Sequence, residues 1–324
     1  MKIRPLPFAL AIALAVPFAI PMANAAQSAS TTTTKPATTA AAAPESIRRP
    51  LLWKVSDADN SVYLLGSFHL LKADDYPLPA EIDRAFDDAE SLLFEVDPIE
   101  MNAPETMAIA TRYMAYEEGE SLSKVLPKPT LEKLDKMMAA GGGSVQAMEH
   151  SEPWAVSLGL IMGMTQSMGF KPELGLDRTL MERAAKAGKP ATGLETVDAQ
   201  LRALDAVPYD EQATGLDEFL DDPMKAAGQM KDMHDWWRAG EFVKLDSEMR
   251  VEMATKTPMS YKLLNVDRNQ AWLPQVEQRL TGSTGDDTLV VVGSLHLLGQ
   301  DGLVETLRAK GYKVERVCDT CEID

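Results

Sequence analysis

The hexapeptide Gly66-Ser67-Phe68-His69-Leu70-Leu71 occurs twice in this chain, returning as Gly293-Ser294-Leu295-His296-Leu297-Leu298. Each copy follows a short apolar run, Val62-Tyr63-Leu64-Leu65 in the first and Leu289-Val290-Val291-Val292 in the second. Runs of this length, aliphatic or β-branched throughout, read as strands buried on both faces of a mostly parallel sheet. Each copy is followed by a loop, an amphipathic helix and another strand. The chain therefore reads as α/β, with two βαβ half-units forming a central mixed or mostly parallel sheet. A large helical insertion, about 101–280, lies between them.

The first half-unit begins with a hairpin, Leu51 to Val55 and Val62 to Leu65. It continues through a helix from about Ala80 to Ala89 and a strand from Ser91 to Asp97. A helix opens near Gly175-Leu176-Asp177-Arg178 and stops at Gly188; Asp177 reads as its cap. Lys189 to Glu195 reads as a short strand ending on an acid, and Asp267-Arg268-Asn269 falls on a helix. Thr288 to Val292, a helix from Gly302 to Lys310 and a strand from Tyr312 to Val317 form the second half-unit. The methionine-rich stretch from Met101 to Gln166 reads as flexible core filling, with an adaptable peptide groove as the alternative.

The N-terminus carries Lys2 and Arg4, an apolar run from Phe8 to Ile20, and Ala23-Asn24-Ala25. These three parts make a secretory signal peptide over 1–25, so a periplasmic or secreted protein is expected. Residues 26–46 are almost all Ala, Thr, Ser and Pro, a composition that buries no core and reads as a disordered linker. The folded domain is expected over 47–324. No later stretch is long and apolar enough for a transmembrane segment in the mature chain.

A formal charge of −17 over 324 residues argues against nucleic acid or an anionic membrane as partner and suits a site that collects cations. In an exported chain the two cysteines, Cys318 and Cys321, are expected to form a disulfide.

Ligands of open α/β sheets sit beyond the carboxyl ends of the strands, where His69 and His296 both fall. Gly66 and Gly293, each three residues earlier, are expected to let the backbone turn tightly. Neutral imidazole is the commonest metal ligand. Two histidines need carboxylates to hold a divalent ion well, and Glu195 and Glu95 both lie at strand ends. His69, His296 and Glu195 are thus the expected metal ligands. Glu95 is either a further ligand or a general base, in a site with room for an activated water. Arg268 and Asn269 are candidates for stabilising an oxyanion. Ser67 and Ser294 read as backbone-shaping, and His150 and His234 as structural or exposed. There is no G-x-S-x-G elbow, H-E-x-x-H, Walker A motif or dinucleotide glycine fingerprint.

With its paired G-x-x-H motifs, the Gly193-Leu194-Glu195 element, Glu95 and Arg268-Asn269, the chain resembles the TraB/GumN/PrgY family, whose relatives include the TIKI-type metalloproteases. The resemblance spans about Leu51 to Val317. It implies a fold related to the erythromycin-esterase and ChaN-like group, a divalent metal ion (Mn, Co or Zn), and hydrolysis of peptide bonds in a peptide or protein substrate. It also carries two other expectations: a non-catalytic peptide- or pheromone-binding protein, and a haem- or metal-binding protein using the same crevice.

Overall fold

The structure, a computed structural model, describes residues 48–282 and 285–321. The expected signal peptide, the linker and the last three residues of the expected domain lie outside the described residues. Six strands form one sheet: β1 (Leu52–Ser56), β2 (Ser61–Ser67), β3 (Ser91–Val96), β4 (Ala191–Glu195), β5 (Thr288–Gly293) and β6 (Lys313–Arg316), in the order β4-β3-β5-β2-β1-β6. β4, β3, β5 and β2 run parallel to their neighbours, β1 is antiparallel to β2, and β6 is antiparallel to β1. The sheet is therefore mixed but mostly parallel, in an α/β fold.

β2 and β5 are buried at every position, as unbroken apolar runs require of central strands with both faces covered. β6 alternates between exposed and half-buried residues and carries Lys313, Glu315 and Arg316, charges that keep an edge strand from pairing further. Beyond β6, Cys318 and Cys321 are joined in a disulfide.

The two half-units are interleaved: β5, from the second, sits between β2 and β3 of the first. β2 and β5 pair in parallel with Ser67 opposite Gly293, so both copies of the hexapeptide leave the sheet at the same edge. β3 and β4 also pair in parallel, with Val96 opposite Glu195, which brings Glu95 and Glu195 to that edge too.

The longer helices are α1 (Ala80–Asp88), α2 (Pro104–Met114), α3 (Lys128–Ala140), α4 (Pro153–Ser167), α5 (Leu176–Ala187), α6 (Val197–Asp205), α7 (Tyr209–Asp221), α8 (Pro223–Ala239), α9 (Asp267–Leu280) and α10 (Leu303–Ala309). α5 and α8 end on Gly188 and Gly240 in the left-handed conformation that favours glycine. Two single π-helical turns, Asp246–Arg250 and Lys262–Val266, interrupt the chain between α8 and α9. Such wide turns are frequent at functional sites. Trp154, Phe94, Phe170 and Trp272 are among the largest fully buried side chains.

Candidate functional site

His69 and His296 stand at one edge of the sheet, each 5 % exposed. Their rings are oriented by different partners. The His69 Nδ1–H donates to Asp177 Oδ1 at 2.7 Å. Asp177 is therefore not the cap of α5, as its place in the sequence suggests; Gly175 is the cap residue, and Asp177 lies in the first turn. A side chain at position 175 would meet the His69 carbonyl oxygen at 2.2 Å, so only glycine lets α5 start against the His69 backbone. That contact brings the Asp177 carboxylate to the imidazole.

His296 is fixed by Asn269, whose Nδ2 donates to the carbonyls of His296 (3.1 Å) and Asp301 (2.9 Å). Its Oδ1 must then be the acceptor, receiving His296 Nδ1–H at 2.7 Å. Asn269 thus acts through His296 as a positioning residue. With Nδ1 committed as a donor, each neutral imidazole carries its lone pair on Nε2. His296 Nε2 lies 3.2 Å from Arg268 Nη1 and 3.9 Å from Glu95 Oε1. His69 Nε2 is buried and makes no hydrogen bond.

Arg268 organises the carboxylates. Its Nη2 donates to Glu95 Oε2 at 2.6 Å and to Glu195 Oε1 at 2.6 Å. Its Nε also faces Glu195 Oε1, at 3.0 Å, and Nη1 donates to the Leu264 carbonyl at 3.1 Å in the second π turn. The guanidinium lies over the Trp272 ring, four residues along the same helix face, and Trp272 Nε1 donates to Glu195 Oε2 at 3.2 Å. Glu195 therefore has both oxygens bound, to Arg268 and Trp272. Arg268, expected as an oxyanion donor, is engaged in ion pairs with both carboxylates.

Glu95 is the carboxylate next to the imidazoles. Its Oε1 accepts from Gly293 N at 2.7 Å and its Oε2 accepts from Gln200 Nε2 at 3.1 Å. Neither Gly66 nor Gly293 is in a left-handed conformation, and Gly293 stands where β5 passes into a 3-10 turn, Ser294–Leu297. Their role is close approach. A Cβ on Gly66 would stand 3.0 Å from both Leu51 Cβ and Ser294 Oγ. One on Gly293 would stand 3.2 Å from Glu95 Oε1, 3.5 Å from His69 Nε2 and 3.6 Å from His296 Cδ2. The absent side chain of Gly293 leaves a small cradle faced by one carboxylate and two imidazoles. Ser294 Oγ donates to the Ser67 carbonyl at 2.8 Å, which ties the two hexapeptides together.

The electrostatics follow from burial and from one guanidinium shared by two acids. Burial pushes the Glu95 carboxyl up, but Arg268, then His296 and His69, and the Gly293 N–H outweigh it and hold the group at about 2. Glu195 goes the other way: burial raises it, Arg268 opposes, and the Glu95 charge adds to the rise. Burial and then Arg268 push His296 down to about 3, so it is a neutral ligand-type imidazole at pH 7. Burial lowers His69, but Asp177 outweighs it and the net direction is up. Three carboxylates, Glu95, Glu195 and Asp177, face one guanidinium here. His296 is neutral, and the Asp177 carboxylate favours a proton on His69, so the acids of this buried site draw positive charge to it.

Among the described residues, no group of three or more His, Cys, Asp or Glu side chains is drawn together as a ready metal cage. The unpartnered His69 Nε2 and the space beside Gly293 are the features of this site into which a small cation would fit. Sequence reasoning missed Asp177 as the partner of His69, as well as Gln200 and Trp272. The i, i+4 spacing of Arg268 and Trp272 was the one local signal available. Of the remaining histidines, His234 is buried, with Nε2 2.9 Å from Asp75 Oδ2 and its ring packed on Phe68 and Phe170; His150 is exposed.

Residues 51–316 match the sequence model of the TraB/PrgY/gumN family. The curated relatives include the uncharacterized protein YbaP of Escherichia coli (strain K12). It is 26 % identical over 246 residues, which cover 76 % of this chain and 87 % of that protein. The uncharacterized protein YbaP of Shigella flexneri is similar to the same extent. No solved structure matches.

Proposed function

The chain belongs to the TraB/PrgY/gumN family, and from that premise we propose that it is an exported, metal-dependent hydrolase acting on peptide bonds. The observation that carries the reading is the buried Nε2 of His69, without a hydrogen-bond partner beside His296 and Glu95, with its other nitrogen fixed by Asp177. A carboxylate that fixes one imidazole nitrogen and frees the other is the usual outer support of a metal-ligating histidine. Export rests on the three-part N-terminus; among the described residues no helix is long and apolar enough to cross a membrane.

His69 and His296 through Nε2, with Glu95, would hold the ion. A divalent ion there, Mn, Co or Zn, would supply Lewis acidity toward a carbonyl or water oxygen. Glu95, with its carboxyl near 2, is a poor proton acceptor and a good anionic ligand. Glu195, whose proton affinity is raised by burial and the Glu95 charge, stays paired with Arg268 and Trp272 and holds the guanidinium beside Glu95. Arg268 holds the two acids in these different states through its four bonds to them. Asn269 and Asp177 keep the imidazole tautomers, so each ring presents Nε2 as its ligating nitrogen.

The test is cleavage of a mixed peptide library by the protein lacking its first 25 residues, read by mass spectrometry with Mn, Co or Zn and with a chelator. Cleavage that requires metal and is lost in a His69→Ala, His296→Ala double variant supports the reading. Metal-independent cleavage refutes the metal dependence, and no cleavage under any condition refutes the hydrolase.

A further inference from the structure

An apolar cavity of about 50 Å³ opens beside the histidine site, and Glu95, Gly293 and His296 line both. Its remaining walls are largely hydrophobic: Phe68 from the first hexapeptide, Met233 and Trp237 from α8, Met253, and Leu264 and Asn265 from the second π turn. The methionines here come from the later helices, not from the methionine-rich stretch of 101–166. They supply the unbranched, polarizable surface that adapts to different apolar side chains. One water needs about 10–15 Å³ on this measure, so the cavity has room for roughly three or four methyl-sized groups, the size of a small aliphatic side chain.

One polar feature breaks the apolar wall. Asn265 is 4 % exposed, and its Nδ2 makes no well-formed hydrogen bond; its polar neighbour is the Tyr261 phenol, which the amide approaches closely enough to work against the rise of the phenol's pKa on burial. A buried amide donor left unpaired costs free energy that a ligand acceptor would recover. Leu264, the residue before it, gives its carbonyl to Arg268, so the π turn that forms the cavity wall also seats the guanidinium of the site.

We propose that this cavity is the specificity pocket of the site: it takes an aliphatic side chain of a peptide, of the size of leucine or methionine, next to the bond that reacts. Asn265 Nδ2 donates to the main-chain carbonyl of the same ligand residue. The proposal rests on the hydrolase reading for its catalytic meaning, but the pocket's selectivity is measurable without turnover. Asn265 and Met253 are specificity-determining residues; they touch the bound peptide and not the ion.

The experiment uses acetyl-Ala-Ala-X-Ala-Ala-amide peptides with X as Leu, Met, Ala, Asp, Lys or Trp. Binding to the chelator-treated protein is followed by calorimetry, and cleavage is followed separately with metal restored. Leu and Met are expected to bind about 10- to 100-fold tighter than Asp or Lys, from burial of one aliphatic side chain. Met253→Phe, which fills the pocket, moves the preference to Ala; Met253→Ala, which enlarges it, moves the preference to Trp. Asn265→Ala weakens every peptide about 3- to 10-fold and leaves their order unchanged. Circular dichroism checks that each variant is folded, and the two Met253 variants guard against the loss of one.

Equal affinity for all X, no binding at all, or a preference unmoved in both Met253 variants overturns the pocket. Selective binding without cleavage leaves the pocket standing and removes the hydrolase. Cleavage without selectivity does the reverse.

Discussion

Glu95 and Glu195 share a single guanidinium, and replacing each with glutamine separates the two. Glu95 is held at about 2 against an ordinary 4.5, a difference worth about 3 kcal/mol in favour of the folded state. The sign is that of a depressed acid. The stability is fully present above about pH 4.5 and is lost as pH falls through about 2. At pH 7, Glu95→Gln therefore costs about 3 kcal/mol. The loss includes the clash of a new amide donor with either the Arg268 Nη2 or the Gly293 N–H, since both donate to Glu95 now.

Glu195→Gln is different. It removes the charge whose ionised form burial and Glu95 disfavour, and its remaining oxygen can keep the Arg268 bonds. It gives up the bond from Trp272, worth about 1 kcal/mol, while relief of the like charge of Glu95 works the other way, so the net cost is about 1 kcal/mol or less. Urea unfolding at pH 7 followed by tryptophan fluorescence measures both. With a slope of about 3 kcal/mol/M for a domain of this size, Glu95→Gln moves the midpoint down by about 1 M, while Glu195→Gln moves it by a third of that or less. The gap closes as pH is lowered toward 3, where wild type has itself lost part of the Glu95 contribution. Equal costs for the two substitutions, or a larger one for Glu195→Gln, would refute the division of roles.

Gly293→Ala puts a methyl into the cradle between Glu95, His69 and His296; it should weaken divalent-ion binding at least about 10-fold in a metal titration, while overpacking costs about 1–3 kcal/mol of stability. Glu152, which accepts from the Tyr209 hydroxyl at 2.9 Å, is pushed up to about 7 by burial. A raised acid destabilises the fold once it must ionise, from about pH 4.5 upward, with the full effect reached above about 7. The difference amounts to about 3 kcal/mol. Glu152→Gln should therefore raise the melting temperature at pH 8 and leave it nearly unchanged at pH 4, as differential scanning calorimetry would show.

The features legible in the sequence are those written locally. Apolar runs mark β2 and β5, the repeated hexapeptide marks where the histidines leave them, Gly188 marks the end of α5, and Glu195 marks the end of β4. Long-range pairings have no local mark. Asp177 sits in the first turn of a helix, where an acid is explained by the helix alone, yet its partner is 108 residues away. Glu195 looked as good a ligand as Glu95, because both end strands at the same edge; only the path of α9 decides which of them Arg268 binds along the whole carboxylate. The glycines of the hexapeptides look like turn residues, yet they serve to let neighbouring groups approach. The π turns, which set Arg268 and the cavity wall, differ from ordinary helix by one hydrogen-bond step and leave no periodic signature.

The central claim is that His69, His296 and Glu95 bind a divalent ion while Glu195 belongs to Arg268. Titration with Co(II), followed by its visible d–d absorption, tests it most directly. The account predicts one ion per chain in wild type, loss of the bands in His69→Ala, His296→Ala and Glu95→Gln, and retention in Glu195→Gln. Bands that survive the loss of both histidines, or that disappear with Glu195 alone, would contradict it.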